Sequence, residues 1–209
     1  MILEDARDGP ARRVLVYLGD YIDRGADPRE AVELLIEQPL PGFESVHLIG
    51  NHEAFLLKFL EDEGVIMSWL MNGGDATCRS YGVDPYAPQI EKQSLLSLQD
   101  QLSGRLPESH LAFYRGLRLS HTEGDYHFVH AGIRPGVDLE RQDPDDLMWI
   151  REPFLSSKRD HGKIVVHGHT PTADPVVRAN RIGIDTGACY GGPLTALALE
   201  RDSRRFLQA

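Results

Sequence analysis

Cysteine is scarce: Cys78 and Cys189 are the only two in 209 residues, and no C-x-x-C spacing occurs. That excludes a disulfide framework and a thiolate metal site, and it suits a reducing compartment. Long apolar runs are missing too. The chain opens Met-Ile-Leu-Glu-Asp-Ala-Arg-Asp, charged almost at once, and nothing later approaches the roughly 18 apolar residues of a membrane span. Neither export nor a membrane is expected, and the cytoplasm is the expected location. Positive charge is in deficit, with 22 Lys and Arg against 32 Asp and Glu for a net charge of −10. No broad basic face is therefore expected for nucleic acid, and an anionic ligand must be caught locally, by metal or by clustered arginine. There is no repeat, low-complexity tract or Ser- or Gly-rich linker, so a single domain over 1–209 is expected.

What is present reads as strands that run into chemically loaded turns. Arg13 to Leu18 is a short apolar strand stopped by Gly-Asp. Asp27-Pro28-Arg29-Glu30 carries an N-cap acid, a first-turn proline and a capping-box Glu, and so predicts a helix with Ala31, Leu34 and Leu35 on one face, ending near Gln38. Ser45 to Ile49 is the next strand. Strand, helix, strand implies a parallel βαβ unit and an α/β fold. Residues 53–117 read as mostly helical, a layer over the sheets, broken by "NGGD" at 72–75 and by a Pro-bearing loop from Gly82 to Pro88. Strands return at His127–His130, Lys163–His167, Ile182–Ile184 and Leu194–Leu199.

Four strands end in "GDYIDRG" at 19, "GNHE" at 50, "HAG" at 130 and "HGHT" at 167. Sites in α/β proteins form beyond the carboxyl ends of strands, where such turns converge. A lone Asp there is a turn former and a lone strand His a core group. Four in order point to a metal site, with carboxylate, amide and imidazole donors that suit manganese, iron or zinc. No G-x-S-x-G elbow is present and neither cysteine has a base beside it in sequence, so no side-chain nucleophile is indicated.

These motifs, GDxxDRG, GNHE, HxG and GHT, together with "WIRE" at 149–152 and "CYGG" at 189–192, make the chain resemble the calcineurin-like metallophosphoesterases, in the bacterial branch of the phosphoprotein phosphatases. The resemblance implies a sandwich of two mixed β-sheets flanked by helices. It also implies two divalent ions, manganese first among the options, with Asp20 as the bridging ligand and Asn51, His130 and His169 completing one site. Asp23 is then the partner of His52, raising the imidazole's pKa so that it can protonate the leaving alkoxide. Arg24 and Arg151 become phosphate clamps. Tyr190 matches a tyrosine lining the site and reads equally as an aromatic in a Gly-rich hairpin. Asp23 as a turn former and Arg151 as a partner of Glu152 are the plainer alternatives.

One family motif, GDxHG, which precedes GDxxDRG and supplies an Asp and a His to the second ion, does not occur at its place. Asp125-Tyr126-His127 precedes its strand instead of following it, and alternation puts His127 on the face opposite His130, so it is read as a turn into a strand. The expectation is a chain that has lost its start, with Met1 inside the first helix and the first strand missing. Such a chain would keep one well-liganded metal site and be inactive, poorly stable or self-associated, unless His167 or Asp185 replaces the missing ligands. Three functions follow: a Ser/Thr protein phosphatase acting on a phosphoprotein or phosphorylated small molecule, a symmetrical diadenosine tetraphosphate hydrolase, or a non-catalytic phospho-ligand binder. Glu53 of GNHE and the intact DRG favour the first.

Overall fold

A computed structural model describes residues 1–6, 12–87 and 95–209. The architecture is mixed α/β. The chain forms two compact units, one comprising Met1–Leu18, Leu40–Leu48 and Arg118–Ala209, the other Gly19–Pro39 and Ile49–Leu117. Among the described residues all strands lie in the first unit, and the second is helical.

In the strand unit, β1 (Val14–Tyr17) pairs in parallel with β2 (Glu44–His47), Tyr17 opposite His47, and the two rings stack at 4.7 Å. A mixed five-stranded sheet contains β3 (Ser120–Glu123), β4 (Tyr126–Val129), β5 (Ile164–His167), β6 (Val176–Val177) and β7 (Arg181–Gly183), in the order β3-β4-β5-β7-β6. A separate hairpin joins β8 (Thr195–Glu200) to β9 (Ser203–Gln208). Strands β4 and β5 are parallel, with Phe128 opposite Val166, so their following turns emerge at the same edge. Their inward residues Val129 and Val165 are sealed by Ala131, Ile133, Leu147, Ile150 and Phe154. Gly132 is required there, because a Cβ would overlap the Phe154 ring.

The helical unit begins its first long helix at Pro28–Glu37, with Asp27 accepting from the Glu30 amide and Gln38 as C-cap. Its buried residues are Pro28 and Val32, and Leu34 is exposed. The inward face is thus one step round from the expected Ala31, Leu34 and Leu35. Further helices are Asn51–Glu61, Ile66–Trp69, Asp75–Ser80, Leu95–Ser103 and Glu108–Arg115, with a π-turn at Leu70–Gly74. Trp69, Phe59, Leu56, Leu102 and Tyr114 are fully buried at their centre, each contributing about 1.5–3 kcal/mol by leaving water.

Candidate active site

Glu53, in the first turn of the Asn51–Glu61 helix, organises the loop that precedes it in sequence. Its carboxylate accepts from the backbone amides of Gly50 (2.9 Å), Asp20 (2.9 Å), Tyr21 (2.7 Å) and Ile22 (3.3 Å). Gly19 and Gly50 let the two backbones meet: a Cβ on Gly19 would lie 2.5 Å from the Gly50 nitrogen, and one on Gly50 would overlap the Asp20 carboxylate. The loop is held in an unusual shape. Asp20, Asp23 and Arg24 all have positive φ (59°, 68° and 56°), and in the other unit so does His169 (63°). Only one further described non-glycine residue, Arg201, shares that conformation. Such backbone costs about 1–3 kcal/mol per residue and persists where the surroundings over-determine it.

Asp23 is completely buried and faces His52, Oδ2 to Nδ1 at 2.6 Å. The same Oδ2 accepts from the Trp69 indole (3.0 Å), while Thr77 donates to Oδ1 (2.5 Å) and accepts from the Asp23 amide (3.0 Å). Burial pulls the His52 imidazole down. The bond to Asp23 and the charges of Asp20 and Asp23 outweigh it, so the net displacement is upward and the ring holds its proton more firmly than a free histidine. Its Nε2 lies 3.9 Å from Asp20 Oδ2. Asn51 is buried beside His52 at the helix start, and Arg24 is exposed. Trp69 and Thr77 escaped the sequence reading, and the signal for them is the "NGGD" interruption they bracket.

In the strand unit the parallel pairing of β4 with β5 delivers His130 and His169 to one place. The Gly168 amide donates to the His130 carbonyl (2.8 Å), tying the two turns together. His130 is buried, its Nδ1 bonds the Leu18 carbonyl at 2.7 Å, and its Nε2 lies 3.2 Å from His169 Nδ1. The Trp149 ring stands edge-on to His169 at 6.1 Å. Arg151, just beyond the Pro144–Trp149 helix, is exposed, and Glu152 accepts instead from Ser156. Tyr190 sits in a 3₁₀ turn between Gly187 and Gly191 and is 66% exposed. His127 is buried and bonds Thr122. His167 is also taken: its Nδ1 bonds the Gly168 carbonyl, Arg181 faces its Nε2 at 3.2 Å, and burial pulls its pKa down to about 4. Asp185 accepts from the Gly187 amide. Cys78 is buried, which pushes its thiol up to about 12 and leaves it inert.

A family model for calcineurin-like phosphoesterases matches residues 1–202. The chain belongs to that family. It is 30% identical over 206 residues to serine/threonine-protein phosphatase 1 of Salmonella typhimurium, covering 95% of this chain and 84% of that protein. It is 28% identical over 192 residues to the asymmetrical bis(5'-nucleosyl)-tetraphosphatase PrpE of Bacillus cereus strain B4264, covering 90% of this chain and 76% of the other. The crystal structure of a candidate diadenosine tetraphosphatase superposes with a TM-score of 0.66 at 20% identity, covering 99% of this chain and 85% of that one, a likeness of fold. The tetraphosphatase relative is of the asymmetrical kind, not the symmetrical kind that the motifs offer as the alternative. The chain is accordingly a phosphoesterase-family hydrolase, and the named activities of its relatives leave the substrate open.

The family implies divalent metal ions, and the donors present fit them. With His130 Nδ1–H given to a carbonyl, Nε2 is the acceptor nitrogen of the ring and faces His169 Nδ1, the tautomer usual for a metal-bound imidazole. Two nitrogens about 2.0–2.1 Å from one ion sit roughly 2.9–3.4 Å apart, and the His130–His169 separation of 3.2 Å falls in that range. In the helical unit, burial and then the charge of Asp20 push the Glu53 carboxyl up to about 7 against the pull of its amides. A cation on Asp20 would relieve that repulsion. Among the described residues no helix is long and apolar enough to cross a membrane.

Proposed function

We propose that the chain hydrolyses phosphomonoesters of serine and threonine on proteins, with Asp20, Asn51, His130 and His169 holding one divalent ion, manganese by preference over iron or zinc. Such ions, when bound, lower the pKa of water towards about 7 and offset charge on the phosphoryl oxygens. The protein's own groups do the rest. Arg24 and Arg151 orient the phosphoryl group, each guanidinium matching two of its oxygens. Tyr190 lines the bound group. His52, with Asp23 behind it, gives its Nε2 proton to the departing oxygen, and no covalent enzyme intermediate is needed.

The observation that carries this reading is the buried Asp23–His52 pair at 2.6 Å. A serine alkoxide is a strong base and leaves only when protonated, whereas a nucleotide leaving from a polyphosphate is a weak base and needs little help. A firmly protonated acid therefore suits the monoester. The 28% identity to an asymmetrical tetraphosphatase supports dinucleoside polyphosphates as a second reading. The test is a substrate panel of phosphoserine peptide, p-nitrophenyl phosphate and diadenosine tetraphosphate, each with His52→Asn. Replacing His52 should cost about 10² to 10⁴ in kcat on the peptide and far less on p-nitrophenyl phosphate, with metal content unchanged. Preferential turnover of diadenosine tetraphosphate by the parent would favour the second reading. An equal effect on both monoesters would remove His52 as the acid.

A further inference from the structure

The interruption at Asn72-Gly73-Gly74-Asp75 has no role in the chemistry above, yet each of its residues is physically committed. Without it, Ile66 to Ser80 would form one continuous helix. Instead it opens into the π-turn at Leu70–Gly74, with Gly73 at φ 102°. The Asn72 side-chain amide donates to the Ser68 carbonyl at 2.8 Å, a bond the regular helix would have made with its backbone. Gly74 lies against the Trp69 ring so tightly that a Cβ would come within 2.5 Å of its Cε2. Asp75 restarts the helix and pairs with Arg79 at 2.7 Å.

The opening turns the Gly73 carbonyl towards the DRG loop, where it accepts from the Arg24 amide at 3.2 Å. A Cβ on Gly73 would stand 2.5 Å from Arg24 Cγ and 3.0 Å from its nitrogen. Arg24 itself holds a left-handed φ of 56°, a conformation uncommon for a non-glycine residue. One residue away, Asp23 is held by Trp69 and Thr77, which flank the same turn.

We propose that the Leu70–Gly74 turn is the positioning element for the phosphate clamp: Gly73, by its carbonyl and by its missing side chain, fixes the backbone of Arg24 so that the guanidinium projects to the phosphoryl group. The proposal rests on the reading of Arg24 as a phosphate ligand. A bidentate cation on a rigid base loses little freedom on binding, so loosening the base weakens the grip without removing the charge. Gly73 is a positioning residue and touches no substrate.

The experiment is a double-mutant cycle on the full chain, with inorganic phosphate as the probe in calorimetric titrations and KM for p-nitrophenyl phosphate measured alongside. Gly73→Ala should weaken phosphate binding roughly tenfold and raise KM to a similar extent, with a much smaller change in kcat. In an Arg24→Ala background the same substitution should add little, because its target is gone. Asn72→Ala, which loosens the turn without filling space, should show a milder version of the same pattern and serves if Gly73→Ala does not fold. Equal losses from Gly73→Ala with and without Arg24 would overturn the positioning role. Unchanged phosphate affinity in Arg24→Ala alone would overturn the clamp reading instead.

Discussion

Asp23 shows how a single carboxylate can be made to serve one neighbour. Two donors besides His52 meet its oxygens, the Trp69 indole and the Thr77 hydroxyl, and the Thr77 hydroxyl also accepts from the Asp23 N–H. They fix its direction and compete with His52 for its two oxygens. Removing one leaves the carboxylate a stronger acceptor for the His52 proton. Thr77→Val should therefore move His52 further in the direction it is already displaced, upward. An acid with a raised pKa stays protonated to higher pH, and the activity that depends on it is lost as pH rises through that value. The alkaline limb of the kcat profile on a phosphoserine peptide should thus shift to higher pH by up to about one unit, with lower kcat from poorer alignment. A limb that stays in place or moves to lower pH would show that Thr77 does not act through Asp23.

At the scale of elements, the legible parts were those whose signal is local. The Pro28–Glu37 helix follows from its cap and proline, and β1, β2, β4 and β5 from apolar runs that stop at glycine or histidine. Strands β3, β6 and β9 were not legible, because Ser-His-Thr-Glu, a Val pair and Ser-Arg-Arg-Phe-Leu-Gln have sheet partners but no apolar alternation of their own. The contact of Asp23 with His52 was implied by the motifs, while its support by Trp69 and Thr77 depends on a turn that sequence marks only as a break. Glu53 lies between these cases. Its place in GNHE was visible, but its function as acceptor for four amides from two segments was not. Glu53→Ala would leave those buried N–H groups without an acceptor, a cost of about 3 kcal/mol or more in urea unfolding. A loss below about 0.5 kcal/mol would mean that the loop does not depend on this anchor.

Across the whole molecule the net charge of −10 opposes the approach of any anionic substrate, so local cations must overcome a repulsive field. Salt should then act oppositely on two phosphoserine peptides. Between about 0.01 and 0.1 M ionic strength the Debye length falls from about 30 to about 10 Å. Turnover efficiency, kcat/KM, should rise severalfold for a peptide with acidic flanks and fall for one with basic flanks. Identical responses would show that the general field does not reach the bound substrate. The mixed α/β architecture was readable from the order of apolar runs and helical patterns. The mostly helical stretch 53–117 was readable as well; that Gly19–Pro39 groups with it, and that Met1–Leu18 and Leu40–Leu48 group with Arg118–Ala209, was not, since these separated stretches share no compositional mark.

The left-handed backbone at Asp20, Asp23, Arg24 and His169 also sets a trap for anyone improving this protein by selection. Glycine at any of the four would relax its local backbone, and at Arg24 it would do so by removing the guanidinium proposed to hold phosphate. A library screened for heat resistance alone would therefore enrich such replacements and discard the groups proposed to carry the chemistry. Screening for retained phosphate affinity at the elevated temperature would keep the two properties together.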